Sequence, residues 1–161
     1  MKWFPKYNYI LASKSPRRQE LLKGLDIDFT ILTKEVEEIY PNTLENRKVP
    51  EFLSNLKAAA FNELKENQIL ITSDTIVCLG DEVLGKPKDK EEAMLMLNKL
   101  SGNMHTVYTG VTVRTAKVEE TFFDATDVTF HELTNEELEF YVDKCKPFDK
   151  AGSYGIQEWM G

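Results

Sequence analysis

Four short stretches of this 161-residue chain carry residues whose types and spacing suit the handling of an anion. In Ser15-Pro16-Arg17-Arg18 the serine is a suitable N-cap and the proline a suitable first helical residue. Two arginines then fill a first turn where the helix already presents partial positive charge and acidic residues are preferred. Each such charge costs about 0.3–1 kcal/mol. Two readings fit: surface arginines screened by solvent, or an anion bound at the terminus, where N–H groups, hydroxyls and guanidinium forks act together.

The second stretch is Asp74 within Ile69-Leu-Ile-Thr-Ser-Asp-Thr-Ile-Val77. Aspartate is depleted in strands, and a buried carboxylate has to be paired, protonated or metal-bound. Alternatively the strand ends there and Asp74 forms an Asx turn. The third is Lys57, four residues after Leu53 and three before Ala60, which places it beside a buried helical stripe. Snorkelling is the ordinary account of such a lysine, and the other is an ammonium reaching a phosphate. The fourth is Lys86 in Gly85-Lys86-Pro87, a tight strand-to-helix connection of a kind many loops contain.

The elements that would position these residues alternate between strand and helix. Tyr7 to Ala12 reads as a strand, followed by a helix carrying Leu21, Leu22 and Leu25, with Gly24 near its end, and by a strand from Asp28 to Thr33. Leu53, Leu56, Ala60, Phe61 and Leu64 recur at helical spacing and predict a helix from Pro50 to Glu66. Gln68 to Leu79 is strongly strand-like, and Gly80-Asp81 turns it into a hairpin with Glu82 to Leu84. Asp89 caps a helix with Glu91 and Glu92 in its first turn, ending near Gly102. Strands follow at Thr106 to Arg114 and Thr121 to His131, and Thr134-Asn-Glu-Glu137 is a capping box. Asp149 to Gly161 reads as irregular. The alternation predicts an α/β protein with some antiparallel pairing.

Composition narrows the class. The length suits one domain or two small lobes folded as a unit, and 42% apolar with 29% charged residues is ordinary for a globular protein. A net charge of −7 argues against a broad nucleic-acid footprint but permits a locally positive anion site. No apolar run approaches a membrane span, and the amino terminus lacks the pattern of a secretory signal. Cys78 and Cys145 are too few for a disulfide framework and lack a metal-ligand spacing, so a cytoplasmic setting is expected. There is no Walker loop and no Gly-x-Ser-x-Gly, and His105 and His131 read as ordinary strand histidines.

Leu11-Ala-Ser-Lys-Ser-Pro-Arg-Arg-Gln-Glu-Leu-Leu22 resembles the amino-terminal signature of the Maf family of nucleoside triphosphate pyrophosphatases. Ser73-Asp-Thr75, Gly85-Lys-Pro87, Leu100-Ser-Gly102 with His105, and Asp149-Lys-Ala-Gly-Ser-Tyr-Gly-Ile-Gln157 match later blocks in order, covering essentially the whole chain. The resemblance implies a two-lobed, mixed-sheet α/β fold of the ITPase-like kind with a central cleft, and a homodimer. It also implies cleavage of a nucleoside triphosphate between its α and β phosphates with a divalent cation, Mg2+ or Mn2+. Asp74 then corresponds to the proton acceptor. Ser13 or Ser15, Arg17, Arg18, Lys57, Lys86 and Lys150 correspond to substrate-binding positions, and Glu38, together with Asp74, to the metal site. No membrane or direct nucleic-acid partner is expected.

Within that family, arginine, threonine and glutamine at the positions of Arg17, Thr75 and Gln157 mark the subgroup acting on dTTP and UTP. The amide of Gln157 suits this role, since it can accept from N3–H and also donate to O4 of uracil or thymine, and an ionised carboxylate cannot donate. Glu158 stands where the family usually has glycine. Family members also continue past the position of Gly161, so residues 1–161 are expected to lack a carboxy-terminal strand and helix. The competing reading is a non-catalytic regulator of septum formation and cell division on the same fold, which diphosphate release from UTP separates from an enzyme.

Overall fold

The strand that carries Asp74 is as long as any element among the described residues, because ten of the twelve residues between Gln68 and Leu79 are apolar, β-branched or small enough to be buried. The computed structural model describes residues 7–158. In chain order the elements are β1 (Asn8–Leu11), α1 (Pro16–Gly24), β2 (Phe29–Ile31), α2 (Lys48–Ala59), β3 (Gln68–Leu79), β4 (Glu82–Leu84), α3 (Lys90–Leu100), β5 (Met104–Arg114), β6 (Glu119–Thr129) and α4 (Asn135–Cys145). A single 3-10 turn, Ala151–Ser153, follows α4.

The strands form a six-stranded mixed sheet in the order β2-β1-β3-β5-β6, with β4 also paired to β3. β1 is parallel to both β2 and β3, Tyr9 pairing with Phe29 on one side and Ile69 on the other. β4 returns antiparallel along β3 through Gly80, whose φ of 58° lies in the left-handed region that glycine adopts without steric cost. The chain divides into two compact units. One comprises the residues up to Asp74 together with Thr109–Asp124, and the other Thr75–Tyr108 together with the residues from Ala125 onward.

In the first unit Ile10, Ala58, Phe61 and Leu70 form the core, so β1, α2 and β3 are packed by their apolar faces. A buried hydroxyl chain crosses the same unit. The Thr72 hydroxyl donates to the Ser54 carbonyl at 2.6 Å, and Ser54 Oγ meets Thr112 Oγ1 at 3.0 Å. In the second unit Leu97 and Leu100 of α3 and Leu138, Tyr141 and Val142 of α4 pack with Val77 and Leu84.

Element boundaries follow the caps. Asp89 accepts from the Glu92 amide at 2.9 Å, and Thr134 and Glu137 complete their capping box. α2 differs most from the periodicity: it begins at Lys48 and stops at Ala59, although Phe61 and Leu64 continue the apolar spacing. The Arg114 guanidinium from β5 donates to the Ala58, Phe61 and Asn62 carbonyls at 2.9, 2.6 and 2.7 Å. The Ala58 carbonyl is one a helix end leaves open and the other two belong to the chain just past the C-cap Ala60, so a residue over fifty positions away in sequence ties down that terminus. β6 ends at Thr129, short of His131. The part of the irregular tail beyond residue 158 lies outside the described residues.

Candidate active site

β3 runs through Asp74 without a break, so no Asx turn forms and the carboxylate sits in a strand at 7% exposure. Its partner comes from the last turn of α2, where the Lys57 ammonium makes an ion pair with Asp74 Oδ1. The same ammonium lies 3.0 Å from Glu38 Oε1, supplied by the loop after β2. Lys57 therefore does not snorkel: its head group is the junction of two carboxylates. Burial pushes the Asp74 carboxyl above the usual carboxylate range and Lys57 pulls it back. Glu38 adds to the upward push, and Arg18 opposes it. A base with a raised proton affinity that is still held in part by a cation suits proton abstraction near neutral pH.

Arg18 belongs to the same neighbourhood. Its Nη1 donates to the Ser73 carbonyl at 2.8 Å, which ties the first turn of α1 to the residue before Asp74. The Ser13 hydroxyl, 7% exposed, is 3.5 Å from that Nη1 and accepts from the Ser15 amide at 3.2 Å. Burial lowers the Arg18 pKa, Asp74 raises it, and Arg17 lowers it. Both arginines are half-buried rather than exposed. Ser15 occupies the N-cap position, yet its side chain makes no capping bond, and no acidic residue stands in the first turn. The terminus thus keeps the positive character of its amides and gains two guanidinium groups, which is the electrostatic make-up of an anion site.

The second unit holds Thr75, Lys86, Lys150 and Gln157. Thr75 is half-buried on β3, directly after Asp74. The Gly152 amide donates to the Gly85 carbonyl at 3.0 Å, which brings the connection bearing Lys86 beside the segment bearing Lys150. Gly152 has φ 67°, and a Cβ there would lie 2.9–3.0 Å from the Val77 side chain, so only glycine allows this approach. Lys86 is exposed, whereas the Lys150 side chain is only 11% exposed and bonds to both Asp149 and Glu158. Gln157 is exposed in the turn that Glu158 closes by donating its amide to the Gly155 carbonyl at 2.9 Å.

Three contributors were not visible as site residues in the sequence. The Ser73 carbonyl is a backbone group, and no side-chain motif reports it. Tyr141 follows the buried helical stripe of α4, which signals core and not its hydroxyl's partners. Glu158 is eight residues from Lys150 in irregular chain, where no period links the two. His105 is also more than an ordinary strand residue: buried at 1% exposure, its Nε2 meets the Tyr154 hydroxyl at 2.7 Å and anchors the same segment.

Glu38 and Asp74 are the residues that fit a hard divalent cation. Magnesium is held typically by one or two carboxylates, with phosphate and water completing its oxygen shell. Here two carboxylates of different elements already converge on a single positive charge, that of Lys57. No group of three or more His, Cys, Asp or Glu side chains among the described residues forms a closed metal cage.

A buried strand carboxylate braced by lysine and arginine, on a mixed sheet flanked by helices, marks an α/β protein suited to chemistry on an anionic ligand. The fold is the one seen in the Staphylococcus aureus Ham1 protein, with a TM-score of 0.51 over 80% of this chain and 72% of that one, at 16% identity. The chain belongs to the Maf family, whose model, described as Maf-like protein, matches residues 8–161. It is 52% identical to a dTTP/UTP pyrophosphatase of Flavobacterium psychrophilum over 99% of this chain and 83% of that protein. It is 48% identical to a dTTP/UTP pyrophosphatase of Bacteroides thetaiotaomicron over 97% of this chain and 82% of that protein.

Proposed function

We propose that this protein is a nucleoside triphosphate pyrophosphatase that hydrolyses dTTP and UTP to the monophosphate and diphosphate, with modified pyrimidine nucleotides as further substrates. The observation that carries the reading is Asp74, a buried carboxylate in mid-strand held by Lys57 beside the arginine-bearing start of α1. The names of the relatives support the substrate class.

In this reading Asp74 orients a water and takes its proton as the water attacks the α-phosphorus. Lys57 keeps the carboxylate ionised before attack, since an adjacent cation favours the charged form. The Arg17 and Arg18 guanidinium groups and the amides opening α1 bind phosphate oxygens, with the hydroxyls of Ser13 and Ser15 beside them. Charge developing on the departing diphosphate is met by cationic groups already in place, which need little reorganisation during the reaction. Glu38 and Asp74 would hold magnesium or manganese, and the bound ion supplies further positive charge against the phosphate oxygens. Thr75, Lys86, Lys150 and Gln157 are the other substrate-binding residues of this reading. The protein works as a homodimer in the cytoplasm in this reading. No helix among the described residues is long and apolar enough to cross a membrane.

Hydrolysis of UTP and dTTP with magnesium in 18O-labelled water tests the assignment. The expected products are diphosphate and a monophosphate carrying the label, since attack falls on the α-phosphorus. Release of inorganic phosphate with a nucleoside diphosphate, or no turnover, refutes it.

A further inference from the structure

Lys150 is the most enclosed ammonium of the second unit with two carboxylate partners, and those partners differ in how they are held. Asp149 Oδ1 lies 3.1 Å from Lys150 Nζ on a side chain that is 71% exposed. Glu158 Oε1 lies at the same 3.1 Å, but its side chain is 29% exposed and tied down through its second oxygen. Oε2 accepts from the Tyr141 hydroxyl at 2.5 Å, and the oxygen of that hydroxyl accepts from the Gly155 amide at 3.1 Å. Tyr141 is fully buried on α4, so the anchor is part of the core. Burial, then the bond to Glu158, raises the phenol pKa, which keeps its proton available to the carboxylate.

We propose that Glu158 is a positioning residue for substrate binding: a fixed internal counter-anion that holds the Lys150 ammonium in place and competes with the substrate's phosphate for it. The proposal rests on the pyrophosphatase reading, in which Lys150 contacts phosphate. An ammonium has three donors, and the two carboxylates engage two of them. An arriving phosphate therefore meets a lysine that is oriented but already partly neutralised. The arrangement limits affinity for free diphosphate, the product that shares the substrate's phosphate groups.

The two functions of Glu158 separate by substitution. Glu158→Gln keeps the size of the side chain and one acceptor oxygen, enough for either Tyr141 or Lys150, but removes the negative charge. Glu158→Ala removes both. Titration calorimetry with inorganic diphosphate at low ionic strength should give a Kd about threefold to tenfold lower for Glu158→Gln than for the unaltered chain, the range of a partly screened ion pair. That gain should shrink as salt is added. In the UTP assay KM should fall with kcat nearly constant in Glu158→Gln, whereas Glu158→Ala should raise KM. A Kd that is unchanged or higher in Glu158→Gln overturns the proposal, as does a Lys150→Met variant that binds diphosphate as well as the unaltered chain. The unaltered chain supplies a measurement that needs no variant to fold: the NMR resonance of the Lys150 ammonium should move on saturation with diphosphate, and a stationary resonance overturns the proposal. Failure of the underlying reading shows separately, as no diphosphate released from UTP by the unaltered chain.

Discussion

Replacing Lys57 with methionine tests the centre of the proposed site, because it removes a charge while keeping an unbranched apolar stem. Lys57 and Asp74 are 19% and 10% exposed at their side chains, so the pair is substantially out of water, while Glu38 is 45% exposed and better screened. Removing one partner of a buried pair typically costs about 3–5 kcal/mol because a charge is left uncompensated. The open side toward Glu38 favours the lower end, about 3 kcal/mol, or about 6–12 °C in Tm for a chain of this length. The cost depends on pH. Asp74 already has its pKa raised by burial, so the folded state retains a proton that the unfolded chain releases, and stability falls as pH rises from the unfolded value toward the folded one. Without Lys57 the folded value rises further and the window over which stability is lost widens. Thermal unfolding of the variant should therefore match the unaltered chain closely near the unfolded carboxyl pKa of about 4, with a gap that opens as the pH rises above it. The acidic limb of kcat/KM, which reports groups of the free enzyme, should move to higher pH in parallel. A Tm difference that is constant across this range, with a stationary acidic limb, would refute the reasoning that Lys57 controls the ionisation of Asp74.

Asp74→Asn should leave nucleotide binding measurable while lowering turnover by about 10²–10⁴, the contribution of a general base; near-normal turnover removes Asp74 from that role. Gln157→Glu should lower activity on UTP and dTTP relative to guanine nucleotides, because an ionised carboxylate cannot donate to O4, and an unchanged ranking in a substrate panel places base reading elsewhere. Gly110→Ala probes packing away from the chemistry: a Cβ there would come within 2.3 Å of the Pro50 carbonyl carbon and oxygen, which are backbone atoms of α2. The urea midpoint should drop by the equivalent of about 3 kcal/mol, the upper end for overpacking, and an unchanged midpoint shows that α2 shifts at little cost.

The elements and several of their ends were legible in the sequence because short-range physics sets them. Asp89 and the Thr134–Glu137 box satisfy amides three residues away, and the β-branched and apolar runs along 68–79 express a local strand preference. The residues later gathered around Asp74 were legible too, as breaches of local preference: a carboxylate in a strand, and arginines in a first helical turn. Their partners were not. Lys57 near a buried stripe is compatible with a solvated ammonium until α2 and β3 are packed, and only then does it meet Asp74 and Glu38. The early end of α2 had the same origin, since the three carbonyls that Arg114 satisfies stand more than fifty residues from it. The tether from Tyr141 through Glu158 to Lys150 joins a helix to irregular chain with no repeat to announce it. Residue types and local spacing decided which groups could do chemistry; long-range packing decided which of them share a charge, because contact between distant residues depends on chain path and not on period.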